Sequence, residues 1–312
     1  MKLAFIGGGN MAQALIVGLK NQQFAMQNIT VIELDANKRG ELERLGVNAT
    51  DTLTSVTVCD VIVLAIKPQQ LPAMAKTLAT LLTKQLVISI AAGIRLSDLS
   101  RWLGNDSANY TAIIRAMPNT PAQIQAGVTG LYALPSVSHA QIALANQVLS
   151  AAGATIWLDS EEKLDAVTAI SGSGPAYVFY LIEALQEAAL ALGLNAEQAK
   201  QLSIATFKGA SLLAEASNTP INTLREQVTS KGGTTEQGLL SLQDSQVKQS
   251  IILAAKKACD RAKSLGIELG RDEPGFDKTG FDEPGLDKTG FDEPGFDKTG
   301  LDNHNSDQHE SN

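Results

Sequence analysis

Histidine is almost missing from this chain: there are three in 312 residues, and His304 and His309 stand near the C-terminus, leaving only His139 in the body. That scarcity argues against a histidine triad or a histidine metal cluster, and no metal site is expected. Cysteine is equally sparse. Cys59 and Cys259 are far apart and match no metal-ligand spacing, so each reads as a small packed or surface residue rather than a ligand or half of a bridge. No apolar run reaches the roughly 18 residues that a membrane span requires, and the first residues read as a strand rather than a leader peptide. A soluble, cytoplasmic protein with no membrane partner is expected.

Positive charge is not in net excess. The formal net charge is -8, and residues 271–312 carry all of it, with 12 acidic against 4 basic residues, so the body is neutral. A neutral body offers no electrostatic reason to expect nucleic acid, whose binding rests on clustered Lys and Arg. Aromatic residues are only 4% of a chain that is 44% hydrophobic, an Ala/Leu/Ile/Val-rich balance common in α/β and helical proteins. The length suggests about two domains.

What is present begins at residue 3. Leu3-Ala4-Phe5-Ile6 reads as a buried parallel strand, Gly7-Gly8-Gly9 as a turn, and Met11, Ala14, Leu15 and Leu19 recur at helical spacing. Gly7, Gly9 and Ala12 fit the fingerprint G-x-G-x-x-G/A, in which the first glycine turns the chain and the second lets backbone approach a pyrophosphate. The small third residue lets helix pack on strand. The N–H groups at such a helix start hold an anion without a charged side chain. A glycine-rich turn with no ligand is the bland alternative.

Strand and helix then alternate. Ile29–Glu33 reads as a second strand, and Glu33 or Asp35 stands where a Rossmann domain carries a carboxylate for the adenosine ribose hydroxyls. Asn37, Lys38 and Arg39 follow at once and could meet a 2′-phosphate, so NADH and NADPH both stay open. Val61–Ile66, Leu86–Ile90 and Ala112–Arg115 are further strands, with helices over Leu71–Leu82 and Leu96–Leu103. Val128–Leu131 and Thr155–Leu158, flanking a helix near 138–151, read as edge strands. The expected fold is an α/β Rossmann domain with a doubly wound, mostly parallel sheet over residues 1–158. Three of its strands end in Lys67-Pro68, Ala91-Ala92-Gly93 and Met117-Pro118-Asn119, at the sheet edge where ligands of such folds sit.

Nothing after Leu158 reads as a strand, so an all-α domain is expected over 159–270. Ser171-Gly172-Ser173-Gly174-Pro175 precedes a helix over Ala176–Leu192 that is apolar on too many faces for a surface helix, which points to burial against another subunit. Asn195 with Gln198 looks like a capping box, Thr219-Pro220 opens another helix, and a last long helix spans about Asp244–Leu265, stopping at Gly266. Thr229–Gly238 contains two glycines followed by hydroxyl residues at a helix start, a pocket of backbone N–H groups suited to a small carboxylate; a plain interhelical turn is the alternative. Residues 271–312 repeat D-[EK]-[PT]-G-[FL] six times and read as a disordered acidic tail.

Six segments in register over about 1–268 make the chain resemble the pyrroline-5-carboxylate reductase family: Ile6–Ala12, Lys67-Pro68-Gln69, Ser89–Gly93, Arg115–Pro121, Ser171–Tyr177 and Gly232–Thr235. The resemblance implies reduction of 1-pyrroline-5-carboxylate to L-proline with NADPH or NADH, the last step of proline synthesis. It also implies a helical domain that interlocks two chains, with further assembly into a decamer. It assigns Gly7, Gly9, Asn10, Met11 and Ala12 to the pyrophosphate, and Lys67, Pro68, Ala91, Ala92, Gly93, Pro118 and Asn119 to the nicotinamide side. Ser230, Gly232, Gly233, Thr234 and Thr235 fall to the substrate carboxylate, with the Thr235 hydroxyl nearest the ring nitrogen. The family usually has Pro where this chain has Lys231, and the repeat tail is no part of its pattern. A protonated cyclic imine already accepts hydride readily, so a protein poor in histidine suffices to orient the reactants.

Overall fold

Leu3–Ile6 is buried at all four positions, and its alternation divides the core: Leu3 and Phe5 enter one hydrophobic layer, Ala4 and Ile6 the other. The computed structural model describes residues 1–105 and 107–271. In chain order the first half holds β1 (Leu3–Ile6), α1 (Asn10–Asn21), β2 (Ile29–Ile32), α2 (Ala36–Glu43), β3 (Asn48–Thr50), β4 (Val61–Leu64), α3 (Leu71–Ala79) and β5 (Leu86–Ser89). It continues with α4 (Leu96–Trp102), β6 (Ile113–Met117), β7 (Gly127–Ala133), α5 (His139–Leu149) and β8 (Gly153–Trp157). The eight strands form one sheet in the order β3-β2-β1-β4-β5-β6-β7-β8, parallel throughout except where β7 runs against β6. Helices α1 and α5 cover one face and α3 and α4 the other, so the central strands are buried on both sides and need no polar alternation. The strand order reverses between β1 and β4, which places the carboxyl end of β1 at a topological switch point.

Two sheet expectations are corrected. The three-residue strand β3 carries no apolar run; it pairs with β2 through its backbone, and β2's continuation is held by the Glu33 N–H donating to the Thr50 carbonyl. β7 lies inside the sheet between β6 and β8, so of the two expected edge strands only β8 is one.

After β8 every element is helical: α6 (Lys163–Val167), a π-helical turn over Thr168–Gly172, α7 (Gly174–Ala191), α8 (Ala196–Ala216), α9 (Ile221–Gln227), α10 (Thr234–Asp244) and α11 (Val247–Gly270). The Asn195 capping box with Gln198 is present at the start of α8. Helix α11 runs straight through Gly266, contrary to the expected stop. A Cβ at Gly266 would stand 2.9 Å from both the Gly93 carbonyl oxygen and Arg95 Nε, so this glycine serves close approach of helix to sheet rim rather than termination. The repeat expected to be disordered, 272–312, lies outside the described residues.

An ion cluster ties the helices to the sheet. Arg95 Nη2 donates to Asp165 Oδ2 at 2.8 Å, and Arg115 Nη1 donates to Glu161 Oε1 at 2.8 Å. Glu161 also accepts the Leu96 N–H, and Arg115 Nη2 lies 3.8 Å from Asp165 Oδ1. Asp165 is 1% and Arg115 3% exposed, so these charges are stabilised by one another and not by water.

Candidate cofactor and substrate site

Each glycine of the first turn has its own task. Gly7 sits at φ +97°, donates its N–H to the Ile32 carbonyl, and would drive a Cβ to 2.7 Å from the Ala65 carbonyl oxygen; only glycine fits. Gly8 donates to Glu33 Oε2 at 3.0 Å. Gly9 is the N-cap of α1 in extended conformation, offers no side-chain cap, and would place a Cβ in open space. The N–H groups of Asn10, Met11 and Ala12 at the start of α1 are therefore uncapped beside a gap that only a glycine leaves, which fits a pyrophosphate.

The tip of β2 separates the two carboxylates. Glu33 turns toward the glycine turn and accepts N–H groups from Gly8 and, at 3.1 Å, from Asp35. Asp35 instead caps α2, its Oδ1 accepting from Asn37 and Lys38. Arg39 donates to the carbonyls of Glu33 and Leu34 and lies 3.7 Å from Asp51, so its guanidinium is already held by backbone.

The remaining rim residues fall in a row. Ile6 pairs with Leu64, Leu64 with Ser89 and Ser89 with Arg115, so Gly7, Lys67-Pro68, Ala91-Ala92-Gly93 and Pro118-Asn119 all follow the same ends of adjacent strands. Lys67 is exposed, whereas Ala91, Gly93, Pro118 and Asn119 are buried. The Asn119 side chain accepts the Val128 N–H at 2.9 Å and pins the turn into β7. Gly93 takes φ +79°, where a Cβ would sit 3.4 Å from Leu265 and Leu269 of α11. The π turn comes close too, since a Cβ at Gly172 would meet Met117 Cε at 2.7 Å. Such π turns recur at functional sites. At the amino end of β4, away from this rim, burial pushes the Cys59 thiol pKa up, which suits an unreactive packed residue.

The glycine–threonine loop is built around a turn. The Gly233 N–H donates to the Ser230 carbonyl at 3.0 Å and Gly232 takes φ +73°, the pattern of a type II turn with Lys231 at its second position. The Gly232 N–H donates to Glu236 Oε2 at 2.7 Å. With both glycine N–H groups engaged, the open donors are those of Thr234, Thr235 and Glu236 at the uncapped start of α10. No hydrogen bond joins this loop to the sheet rim among the described residues, and Ser230, Thr234 and Thr235 are exposed.

Sequence reasoning missed the ion cluster, the Glu236 bond and the π turn. Glu236 alone left a signal, a glutamate three residues beyond the glycine that opens its helix, much as in a capping box.

A doubly wound sheet with an open glycine turn at its switch point, followed by a helical half, defines a dinucleotide-dependent oxidoreductase. Residues 161–265 match the model for pyrroline-5-carboxylate reductase dimerisation, and residues 2–93 match that for coenzyme F420-dependent NADP oxidoreductase. A pyrroline-5-carboxylate reductase of Pseudomonas aeruginosa is 42% identical over 274 residues, covering 85% of this chain and 98% of the relative. The Arabidopsis thaliana one is 33% identical over 268 residues, covering 85% and 95%. The structure of a pyrroline-5-carboxylate reductase from Coxiella burnetii superposes with a TM-score of 0.79 at 41% identity, over 85% of this chain and 98% of that one. That of Plasmodium falciparum, with NADP bound, gives 0.75 at 29% over the same shares. The chain belongs to the pyrroline-5-carboxylate reductase family and carries its dimerisation region. No helix among the described residues is long and apolar enough to cross a membrane.

Proposed function

We propose that this chain reduces 1-pyrroline-5-carboxylate to L-proline with NADPH or NADH, closing proline synthesis. The observation that carries the reading is the pair of uncapped helix starts in one chain: α1 after Gly9 at the switch point, and α10 after Gly232-Gly233, followed by threonine hydroxyls. When bound, the nicotinamide supplies hydride to the protonated imine carbon. The chain's own part is to bind and orient. Gly7 and Gly9 with the N–H groups of Asn10, Met11 and Ala12 hold the pyrophosphate. Glu33 faces the adenosine ribose, with Asp35 fixing α2 behind it. Lys67, Pro68, Ala91, Ala92, Gly93, Pro118 and Asn119 shape the nicotinamide side. Ser230, Gly232, Gly233 and Thr234 form the cradle for the substrate carboxylate, and Thr235 places its hydroxyl at the ring nitrogen. Asn37 and Lys38 stay exposed, able to meet a 2′-phosphate, while Arg39 is tied down; neither coenzyme is preferred on this ground.

Residues 1–158 act as the dinucleotide domain and 159–270 as the substrate and dimerisation domain, with 271–312 an acidic appendage outside the chemistry. The protein works in the cytoplasm, without membrane or nucleic-acid partners, as a homodimer that assembles into a decamer. Dimerisation covers the exposed apolar side chains of α7 and α8 and brings the glycine–threonine loop to a sheet rim. NAD(P)H oxidation that depends on added pyrroline-5-carboxylate is the test. Thr235→Ala should lower kcat/KM about 10–1,000-fold. Coenzyme binding without turnover would leave a non-catalytic dinucleotide sensor in its place.

A further inference from the structure

We infer that Glu236 is a positioning residue for the substrate carboxylate, the internal clamp that sets the glycine–threonine loop in its binding shape. The inference rests on the substrate reading of that loop given above. Two adjacent glycines, Gly232 and Gly233, have the largest conformational freedom of any residue pair, and ordering them costs correspondingly more. Lys231, at the second position of the turn, contributes no ring to restrict it. Two hydrogen bonds hold the loop: Gly233 N–H to the Ser230 carbonyl at 3.0 Å, and Gly232 N–H to Glu236 Oε2 at 2.7 Å. Only the second involves a side chain, and it joins the turn to the first turn of α10. It fixes Gly232 at φ +73° and keeps the turn from folding over the open N–H groups of Thr234 and Thr235. The bond lies at the surface, and its strength comes from its short charge-assisted geometry and from closing only a four-residue span. The carboxylate also settles which donors the substrate finds: the Gly232 N–H, like that of Gly233, is occupied from within the loop, and the N–H groups of Thr234, Thr235 and Glu236 are left.

The geometry supplies its own control. A type II turn favours proline at its second position, and among the described residues the Lys231 N–H makes no backbone hydrogen bond that proline would remove. Lys231→Pro should therefore replace by covalent restriction what Glu236 does by hydrogen bonding. The experiment uses the full-length enzyme and compares Glu236→Ala, Glu236→Gln, Lys231→Pro, the double variant Lys231→Pro/Glu236→Ala, and Thr235→Ala. Readouts are KM for pyrroline-5-carboxylate, kcat, the NADPH dissociation constant, and hydrogen exchange of the 230–236 amides. Glu236→Ala is expected to raise KM about tenfold and to speed exchange, with kcat and NADPH affinity within about twofold of the parent. Glu236→Gln keeps an acceptor oxygen and should stay within about threefold, and the double variant should return to the same range. A KM unmoved by Glu236→Ala while Thr235→Ala impairs turnover overturns the clamp and leaves the substrate site standing. If neither variant moves KM or kcat, the substrate reading itself fails. If Glu236→Ala does not fold, the double variant decides: a folded protein with parental KM supports the clamp, and one with KM still raised overturns it.

Discussion

The sheet half and the helical half of this molecule obey different rules of burial. In β1, β4 and β5 every residue is buried, and the apolar side chains have found partners within the chain. In α7, a helix of 18 residues, none is buried; Phe179 is 65% and Tyr180 71% exposed, and α8 leaves Leu212 and Leu213 in the same state. Both halves are apolar in sequence. The difference is one of stoichiometry: the sheet closes its core with one chain, whereas helices with apolar residues on all sides need a second, as a dimerisation region implies.

The largest expected effect tests that contrast directly. Phe179→Asp/Tyr180→Asp should weaken dimer association by about 1,000-fold, since central aromatic residues carry most of such an interface. Sedimentation should show monomers whose sheet half keeps its secondary structure. A dimer of unchanged affinity would mean that other helices make the interface. Next comes the seam between the halves. Asp165→Ala removes the 2.8 Å partner of Arg95 and leaves the buried Arg115 with Glu161 alone, and should cost about 3 kcal/mol, splitting thermal unfolding into two transitions if the cluster couples the halves. A single transition at the parental temperature would reduce the cluster to decoration.

Within the sheet half, two glycines two residues apart should behave oppositely. Gly9→Val adds a side chain in open space and should leave the melting temperature nearly unchanged while weakening NAD(P)H binding about 100-fold. Gly7→Val meets the Ala65 carbonyl and should destabilise the fold before binding can be measured. Coenzyme affinity retained in a folded Gly9→Val protein would remove the turn from the site. The smallest effect belongs to the tail. Deleting 271–312 brings the net charge from -8 to zero and should change solubility without altering turnover or melting temperature. A fall in oligomer mass on truncation would show instead that the repeats bridge subunits.

How much of this was readable beforehand follows how local each signal is. The β1–turn–α1 unit was legible because its apolar run, its glycines and its helical spacing lie within twenty residues of each other. The cap at Asn195 was legible for the same reason. The ion cluster was not, since Arg95, Arg115 and the Glu161/Asp165 pair are far apart in sequence and meet only because the β5–α4 loop, β6 and the segment from the β8–α6 loop into α6 fold together. β3 was missed because three residues paired through backbone leave no side-chain pattern. The end of α11 was misread because a glycine that stops a helix and one that permits close packing look alike in sequence. The roles of Glu33 and Asp35 separated only when the structure showed one turned to the glycine turn and the other capping α2.

The meeting of Gly93 and Gly266 has a mechanical meaning. Here a Cβ on Gly266 of α11 would come within 2.9 Å of the Gly93 carbonyl oxygen of the sheet rim, with the Arg95 side chain alongside and Leu265 and Leu269 next to Gly93. Helix α11 has 24 residues, and 19 of them precede Gly266, a stiff arm of about 28 Å. A tilt of about 1° at that contact moves the far end, beside α10, by about 0.5 Å. Gly266 thus serves as a bearing for α11: a side chain there would push the helix off the rim and shift its far end by that same leverage.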